Sequence, residues 1–380
     1  MKIPLRSLNT IYRLKKFFVL FISLFLFLST SAIALAAASW TNVGNLVADH
    51  ENHVAVILAN GKVLAIGGTF NNNPTNKTEL YNPATGTWGA SPVNMNQCRN
   101  FATAHTVLVS GIQKVLAIGG STCSGYTNTT ELYSTSSATW SLAASMSEKR
   151  ALHASIEFNN GTVFVIGGDK GFGVATPSSE LYDPSTNSWT TKASMSVARK
   201  SHTATLMQDG RVLVVGGVST SSAVATTEIY DPSNNTWTNG PTMTYARVAH
   251  SAILLPDGRV LIVGGFSISA STTAEIYDPN TNSFTLTSTP NYTHNMSTAT
   301  LVTLSGGSTN VLVAGSTVVT DKNKAELYDY NNDTWTTTTN LNTGRSNHTA
   351  TLLNDGTVLV VGGYNSAGAG SKTAEYYTAP

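Results

Sequence analysis

Apolar residues along this chain come in bursts of four rather than at helical spacing. Runs such as "VLVV" (Val212–Val215) and "VLIV" (Val260–Val263) are β-branched, too short for helices, and stop at a pair of glycines. The pairs are Gly67-Gly68, Gly119-Gly120, Gly167-Gly168, Gly216-Gly217, Gly264-Gly265 and Gly362-Gly363, with Ala314-Gly315 as a seventh copy, at intervals of 48 to 52 residues. Six of the runs follow a turn dipeptide: Asn60-Gly61, Ser110-Gly111, Asn160-Gly161, Asp209-Gly210, Asp257-Gly258 and Asp355-Gly356. Such pairs suit a type I′ turn, so "SHTATL" and "RVLVV" around Gln208-Asp209-Gly210 are predicted to form a hairpin of strands a and b.

A third strand, c, is predicted at Glu-apolar-Tyr triplets, for example Glu180-Leu181-Tyr182 and Glu228-Ile229-Tyr230. Asp-Pro turns such as "DPSTNS" (Asp183–Ser188) follow, with their preset φ and backbone-bonding side chains. Strand d then carries an aromatic: Trp88, Trp140, Trp189, Trp237, Phe284 and Trp335. The seventh aromatic lies at the other end, Trp40 in "SWTNVGNL", while the last repeat stops at strand c in "AEYYTAP". The N-terminal strand can therefore complete the last sheet and remove the open edge. The expected fold is all-β: a seven-bladed propeller of four-stranded antiparallel blades, occupying residues 39–380.

A blade of this length, with Gly-Gly, then Glu-apolar-Tyr-Asp-Pro, then Trp, resembles the kelch repeat. The style of "RKSHTATLMQDGRVLVVGG" (Arg199–Gly217) is similar to the propeller domain of galactose oxidase and related exported bacterial proteins. Enzymes of that type hold copper with Tyr and His, one Tyr being cross-linked to Cys and one His coming from a domain after the propeller. The cross-linked Tyr follows the strand-a Arg by two residues; here those slots hold Phe101, Leu152, Ser201, Ala249 and Asn347, and the sequence ends at Pro380. Copper-radical oxidation is therefore not expected, and no residue of that site carries over. Kelch propellers host many unrelated roles, exported sialic acid epimerases among them, so the resemblance speaks to fold more than to function.

A His recurs fourteen residues before the diglycine, as His53, His153, His202, His250 and His348. Three residues earlier stands a cation in every copy: His50, Arg99, Arg150, Arg199, Arg247, His294 and Arg345. Strand c opens on an acid in every copy: Glu79, Glu131, Glu180, Glu228, Glu275, Glu326 and Glu375. A ring of imidazoles and guanidiniums around a central channel could hold a metal or an anion. Equivalent positions on successive blades, however, lie too far apart for several imidazoles to reach one ion at about 2.0–2.1 Å. Cations and acids are read instead as half-buried pairs within or between blades that set register. "DHENH" (Asp49–His53) suggests a metal site by composition, but it sits in the same register and is read as structure. The sixth copy departs most, with Ala314 for Gly, Ser297 at the His position and Phe284 taken as its aromatic. No catalytic residue, metal site or cofactor is assigned.

Composition narrows the setting. Charged residues make up only 11% of the 380, and the first 36 contain five basic residues and no acid. Without that segment the net charge moves from +1 to −4, which leaves no electrostatic footprint for nucleic acid. Basic residues, then "FFVLFISLFLFL" (Phe17–Leu28), then small residues through Ala38 read as a signal peptide over 1–38, with an uncleaved membrane anchor as the alternative. A secreted, cell-surface or periplasmic location is expected, with the N-terminal segment as the only membrane contact, and a monomer. The two cysteines, Cys98 before Arg99 and Cys123 after Gly119-Gly120, fall at one end of one blade and are expected to form a disulfide.

Function is sought where the repeats differ. The b–c and d–a loops emerge on one face, and five b–c loops carry an aromatic among polar residues: Phe70, Tyr126, Phe172, Phe266 and Tyr364. Rings that stack and amides that bond suit carbohydrate or an extracytoplasmic protein, and that rim is the expected binding surface. The expected role is a binding or interaction module. The alternative is a carbohydrate-active enzyme, a sugar epimerase, mutarotase or oxidase-like protein, with its site at the channel mouth.

Overall fold

In the computed structural model, each copy of the repeat is one antiparallel sheet. The structure describes residues 37–90, 93–266 and 272–380, so the expected signal segment lies outside the described residues except for its last two. Blade 4 shows the pattern: strand a is Thr203–Leu206, b is Val212–Val215, c is Thr227–Asp231 and d is Thr236–Asn239, paired in that order. Seven such four-stranded sheets are present, and no helix occurs among the described residues.

The apolar bursts are continuous because strand b is buried on both faces. Val212 and Val214 pack with Phe164 and Ile166 of blade 3, whereas Leu213 and Val215 pack with Val260 and Ile262 of blade 5. All four residues of this strand are fully buried. Strand c adds Tyr230, directly opposite Trp237 of strand d, with ring centroids 5.0 Å apart. The Asp-Pro turn serves this pair: Asn235, at φ +56°, accepts a 2.9 Å hydrogen bond from the Tyr230 hydroxyl. The same bond joins Tyr182 to Asn187, Tyr277 to Asn282 and Tyr328 to Asp333.

The ring closes as the repeat count requires. Ser39–Asn42 pairs with Ala374–Thr378, placing Trp40 opposite Tyr377 at 5.1 Å, and the Trp40 indole donates to the Thr339 carbonyl at 2.9 Å. Blade 7 is thus built from both ends of the described chain, and the strand c edge that would otherwise be open is paired.

Two expectations need correction. Phe284 belongs to blade 5, opposite Tyr277, and blade 6 carries Trp335 against Tyr328. Nor is the a–b hairpin generally type I′. Only Ser110-Gly111 has both residues at positive φ, with Val109 paired to Ile112. Elsewhere the glycine alone is left-handed: Gly210 donates to the Met207 carbonyl at 3.0 Å and Met207 to the Arg211 carbonyl at 2.8 Å. That is a three-residue loop, a type I turn followed by a left-handed Gly, which the same dipeptide also serves.

The repeated cations and acids form seven pairs, each within one blade. Arg99–Glu131, Arg150–Glu180, Arg199–Glu228, Arg247–Glu275 and Arg345–Glu375 stand at 2.7–3.0 Å, and His50–Glu79 and His294–Glu326 at 3.1 and 2.9 Å. They are fully buried rather than half-buried. Arg199 also donates to the Gly216 and Thr226 carbonyls, both at 2.9 Å, while Glu228 accepts the backbone N–H groups of Ser196 and Val197. One pair therefore ties the end of strand b, the start of strand c and the incoming d–a loop. Burial lowers the pKa of each of these arginines, and the partner carboxylate opposes that shift.

Replacing Arg199 by Met should leave Glu228 charged and unpaired, and unfolding free energy by urea titration should fall by about 3–5 kcal/mol. Arg211→Ala, which breaks the partly exposed pair with Asp209, should cost under about 1 kcal/mol in the same measurement.

Candidate functional site

The face carrying the b–c and d–a loops is organised from the diglycine outward. Gly217 donates its N–H to the Arg247 carbonyl of the next blade at 2.9 Å, and the equivalent bond runs round the ring to Gly363 and the His50 carbonyl at 2.7 Å. Blade 6 corrects the expected Ala314-Gly315 copy by one residue: Ala314 ends strand b, Gly315 takes the first-glycine register, and Ser316 donates to the Arg345 carbonyl at 3.1 Å. A Cβ on Gly216, whose φ is +62°, would stand 2.5 Å from that same Arg247 carbonyl. Glycine is required there by both conformation and space.

Two residues after each cation the chain turns into the left-handed region. Asn52, Phe101, Leu152, Ser201, Ala249, Met296 and Asn347 all have φ between +50° and +55°. Each donates its N–H to its counterpart in the preceding blade at 2.9–3.4 Å, and Asn52 closes the circle on Asn347. This closed hydrogen-bonded ring surrounds the channel mouth, and its side chains line a cavity of about 300 Å³. A non-glycine residue in this conformation costs about 1–3 kcal/mol, so the circle of bonds and the packed blades hold it there. Four of the seven side chains are apolar and none titrates.

Behind the ring sit the repeated histidines. His153, His250, His348 and His53 place Nε2 at 2.8–3.0 Å from the hydroxyls of Thr103, Thr203, Thr298 and Thr349 of the neighbouring blade. In blade 3 the register position of those threonines is held by Ala154, and the Nε2 of His202 has no partner. In blade 2 the histidine register is held by Ala102, which packs on Gly120. His105 has the same spacing to the diglycine, but the longer hairpin of that blade moves it along strand a to the Ser155 hydroxyl, 2.7 Å away. Burial, then the charge of the adjacent arginine, lowers His202, His250 and His348 to about 3. These rings are neutral, and all but His202 are inter-blade staples.

The aromatic loop residues do not form one platform. Phe266 and Tyr364 stand at the bases of their loops, bridged to Val248 and Ser346 beside the channel ring. Phe70 lies one residue further along its loop, and the Tyr364 hydroxyl accepts from Asn52 at 3.3 Å. Tyr126 lines a separate polar cleft of about 300 Å³ with Asn96, Gln97 and the disulfide-bonded Cys98 and Cys123. Phe172 sits at a loop tip at φ +54° and is fully exposed. Apolar residues outside that set of five add to the face: Phe101, Val174 and Val319 are exposed as well. Phe101 was legible as a register position two after Arg99; Val174 and Val319 carry no repeat signal.

A family model described as Attractin/LZTR1 beta-propeller matches residues 29–272. No curated protein matches. Among solved structures, one described as a novel fungal alcohol oxidase of the AA5 family in complex with copper aligns with a TM-score of 0.71 at 20% identity, covering 90% of this chain and 77% of that one. At that identity the likeness shows the fold alone. His53, His153, His202, His250 and His348 also line the cavity, but four of them place Nε2 on threonine hydroxyls, and no three His, Cys, Asp or Glu side chains among the described residues are grouped so that they could hold a metal ion such as copper.

Two outcomes follow from the histidine staples. Folded-state pKa values near 3 lie below the unfolded imidazole value of 6.5, so the unfolded chain binds the extra protons between those limits. Stability should be complete well above pH 6.5 and fall as pH drops from 7 to 5, by at most about 1.4 kcal/mol per pH unit for each histidine. Urea titrations across that range check this, and His202→Gln should make the slope shallower. Ala154→Thr should supply the missing hydroxyl to His202 and raise stability by about 1 kcal/mol, a gain absent when His202 is also replaced.

Proposed function

The chain belongs to the Attractin/LZTR1 β-propeller family, and we propose that it is an exported binding module that holds carbohydrate or an extracytoplasmic protein on its b–c and d–a loop face. The observation that carries this reading is Phe172. It is fully exposed at a loop tip, in a left-handed conformation that costs free energy, on the same face as exposed Phe101, Phe266 and Val319. On the opposite face the turns carry Asp, Asn, Ser and Thr that bond their own backbone, as Asp183, Asp231 and Asp355 do, and the exposed apolar residues Leu108 and Ile112 there belong to the long a–b hairpin of blade 2. The Tyr126 cleft, with two amide side chains and adjacent hydroxyls, adds the chemistry that suits a sugar. A sugar-converting enzyme at the channel mouth draws no support from the seven ring residues, whose side chains cannot exchange protons near neutral pH.

A screen of the purified protein against glycans, polysaccharides and extracytoplasmic protein fractions should find a ligand. Phe172→Ala should weaken it by about 1–3 kcal/mol, roughly tenfold to a hundredfold, with an unchanged melting temperature. Ligand binding that survives both Phe172→Ala and Tyr126→Ala would move the site off this face.

A further inference from the structure

One register position on the loop face departs from its counterparts in chemistry. The residue after each cation is Glu51, Asn100, Ala151, Lys200, Val248, Asn295 or Ser346, wedged where neighbouring b–c loops meet. Asn100 donates to the Thr69 hydroxyl at 2.9 Å, and Lys200 to Asp169 at 2.6 Å. Glu51 is 3% exposed, and its Oε2 has no hydrogen-bond partner. That oxygen borders a cleft of about 270 Å³ between the b–c loops of blades 7 and 1, lined also by Asp49, Asn71, Asn72 and Gly370.

The cleft is built around the carboxylate. Gly370 brings bare backbone against it: a Cβ there would lie 3.1 Å from Glu51 Oε2 and 3.1 Å from the Asp49 Cβ. Asn71 and Asn72 close the blade 1 side, both left-handed at φ +49° and +61°. No cation lines the cleft, although it holds two carboxylates. Burial raises the Glu51 pKa, the Tyr364 hydroxyl opposes this, and Asp49 adds to it. A desolvated carboxylate of this kind is stabilised by a cationic donor. The volume exceeds a bare metal ion and suits one sugar ring, whose hydroxyls the Asn71 and Asn72 amides can meet.

We propose that the cleft between blades 7 and 1 is a subsite for a single amino-sugar unit, its ammonium group held by Glu51 and Asp49 and its hydroxyls by Asn71 and Asn72. This site is separate from Phe172 and Tyr126 and stands whether or not the aromatic rim binds a ligand. The charge-assisted bond to Glu51 sets the selectivity: glucosamine should bind about tenfold more tightly than glucose.

Isothermal titration of the purified protein with glucosamine, glucose and calcium chloride tests this. Glu51→Gln should abolish the preference for glucosamine, and Gly370→Ala, whose new methyl group crowds Oε2, should weaken glucosamine binding without lowering the melting temperature. Phe172→Ala should leave the titration unchanged, which separates failure of this site from failure of the rim. Equal binding of glucosamine and glucose, no heat with glucosamine, or a Glu51-dependent response to calcium alone would overturn the proposal.

Discussion

The structure depends on how closely one blade approaches the next, and that approach is made at the diglycine. The second glycine gives its N–H to the carbonyl of the next blade's cation, as Gly217 does to Arg247, and a side chain on the first would collide with that carbonyl. Everything nearby is arranged around this contact. The buried Arg–Glu pair holds the carbonyl in place from within its own blade, because the Arg199 guanidinium spans the Gly216 and Thr226 carbonyls and Glu228. The left-handed ring, two residues on, is the continuation of the same peptide around the channel.

The ring has a consequence for function. Its backbone groups are consumed in holding the blades together, and the histidines behind it are neutral, four of the five bonded to threonines, so the channel mouth is a rigid frame. Variation is admitted one step away, in side chains whose backbone is already committed. Phe101, Met296 and Asn52 share one conformation and differ only in what they present. Glu51 shares its position with Asn100 and Lys200, and each of the three settles a different local charge balance. A propeller of this kind can change ligand without changing its architecture.

Much of the fold was legible because the repeat obliges one solution to recur. Six diglycines with one variant copy, six strand-d aromatics and an unpaired Trp40 require seven blades and the closure found between Ser39–Asn42 and Ala374–Thr378. Local turn detail was less legible: Asp209-Gly210 is compatible with a two-residue or a three-residue loop, and the choice is made by one extra backbone bond beyond the strand ends. Phe284 lies between the fifth and sixth copies in the sequence, and its pairing with Tyr277 puts it in the fifth. His105 matches the spacing of the repeated histidines, yet the longer blade 2 hairpin carries it to Ser155, because spacing along a strand does not encode register across it.

The sequence by itself determined the architecture: strand periodicity, turn chemistry and the repeated glycines act over a few residues, and their sevenfold recurrence turns local preference into a closed ring. It also determined that cation and acid lie at the same end of a blade. Tertiary structure alone decided which blade each pair belongs to, that the residues after the cations form a hydrogen-bonded circle, and that the five loop aromatics are dispersed over the face rather than gathered. Among the described residues, it alone left one carboxylate oxygen, Glu51 Oε2, buried and without a hydrogen-bond partner. Those outcomes depend on which side chains from distant parts of the chain meet, and on which buried polar groups are then satisfied.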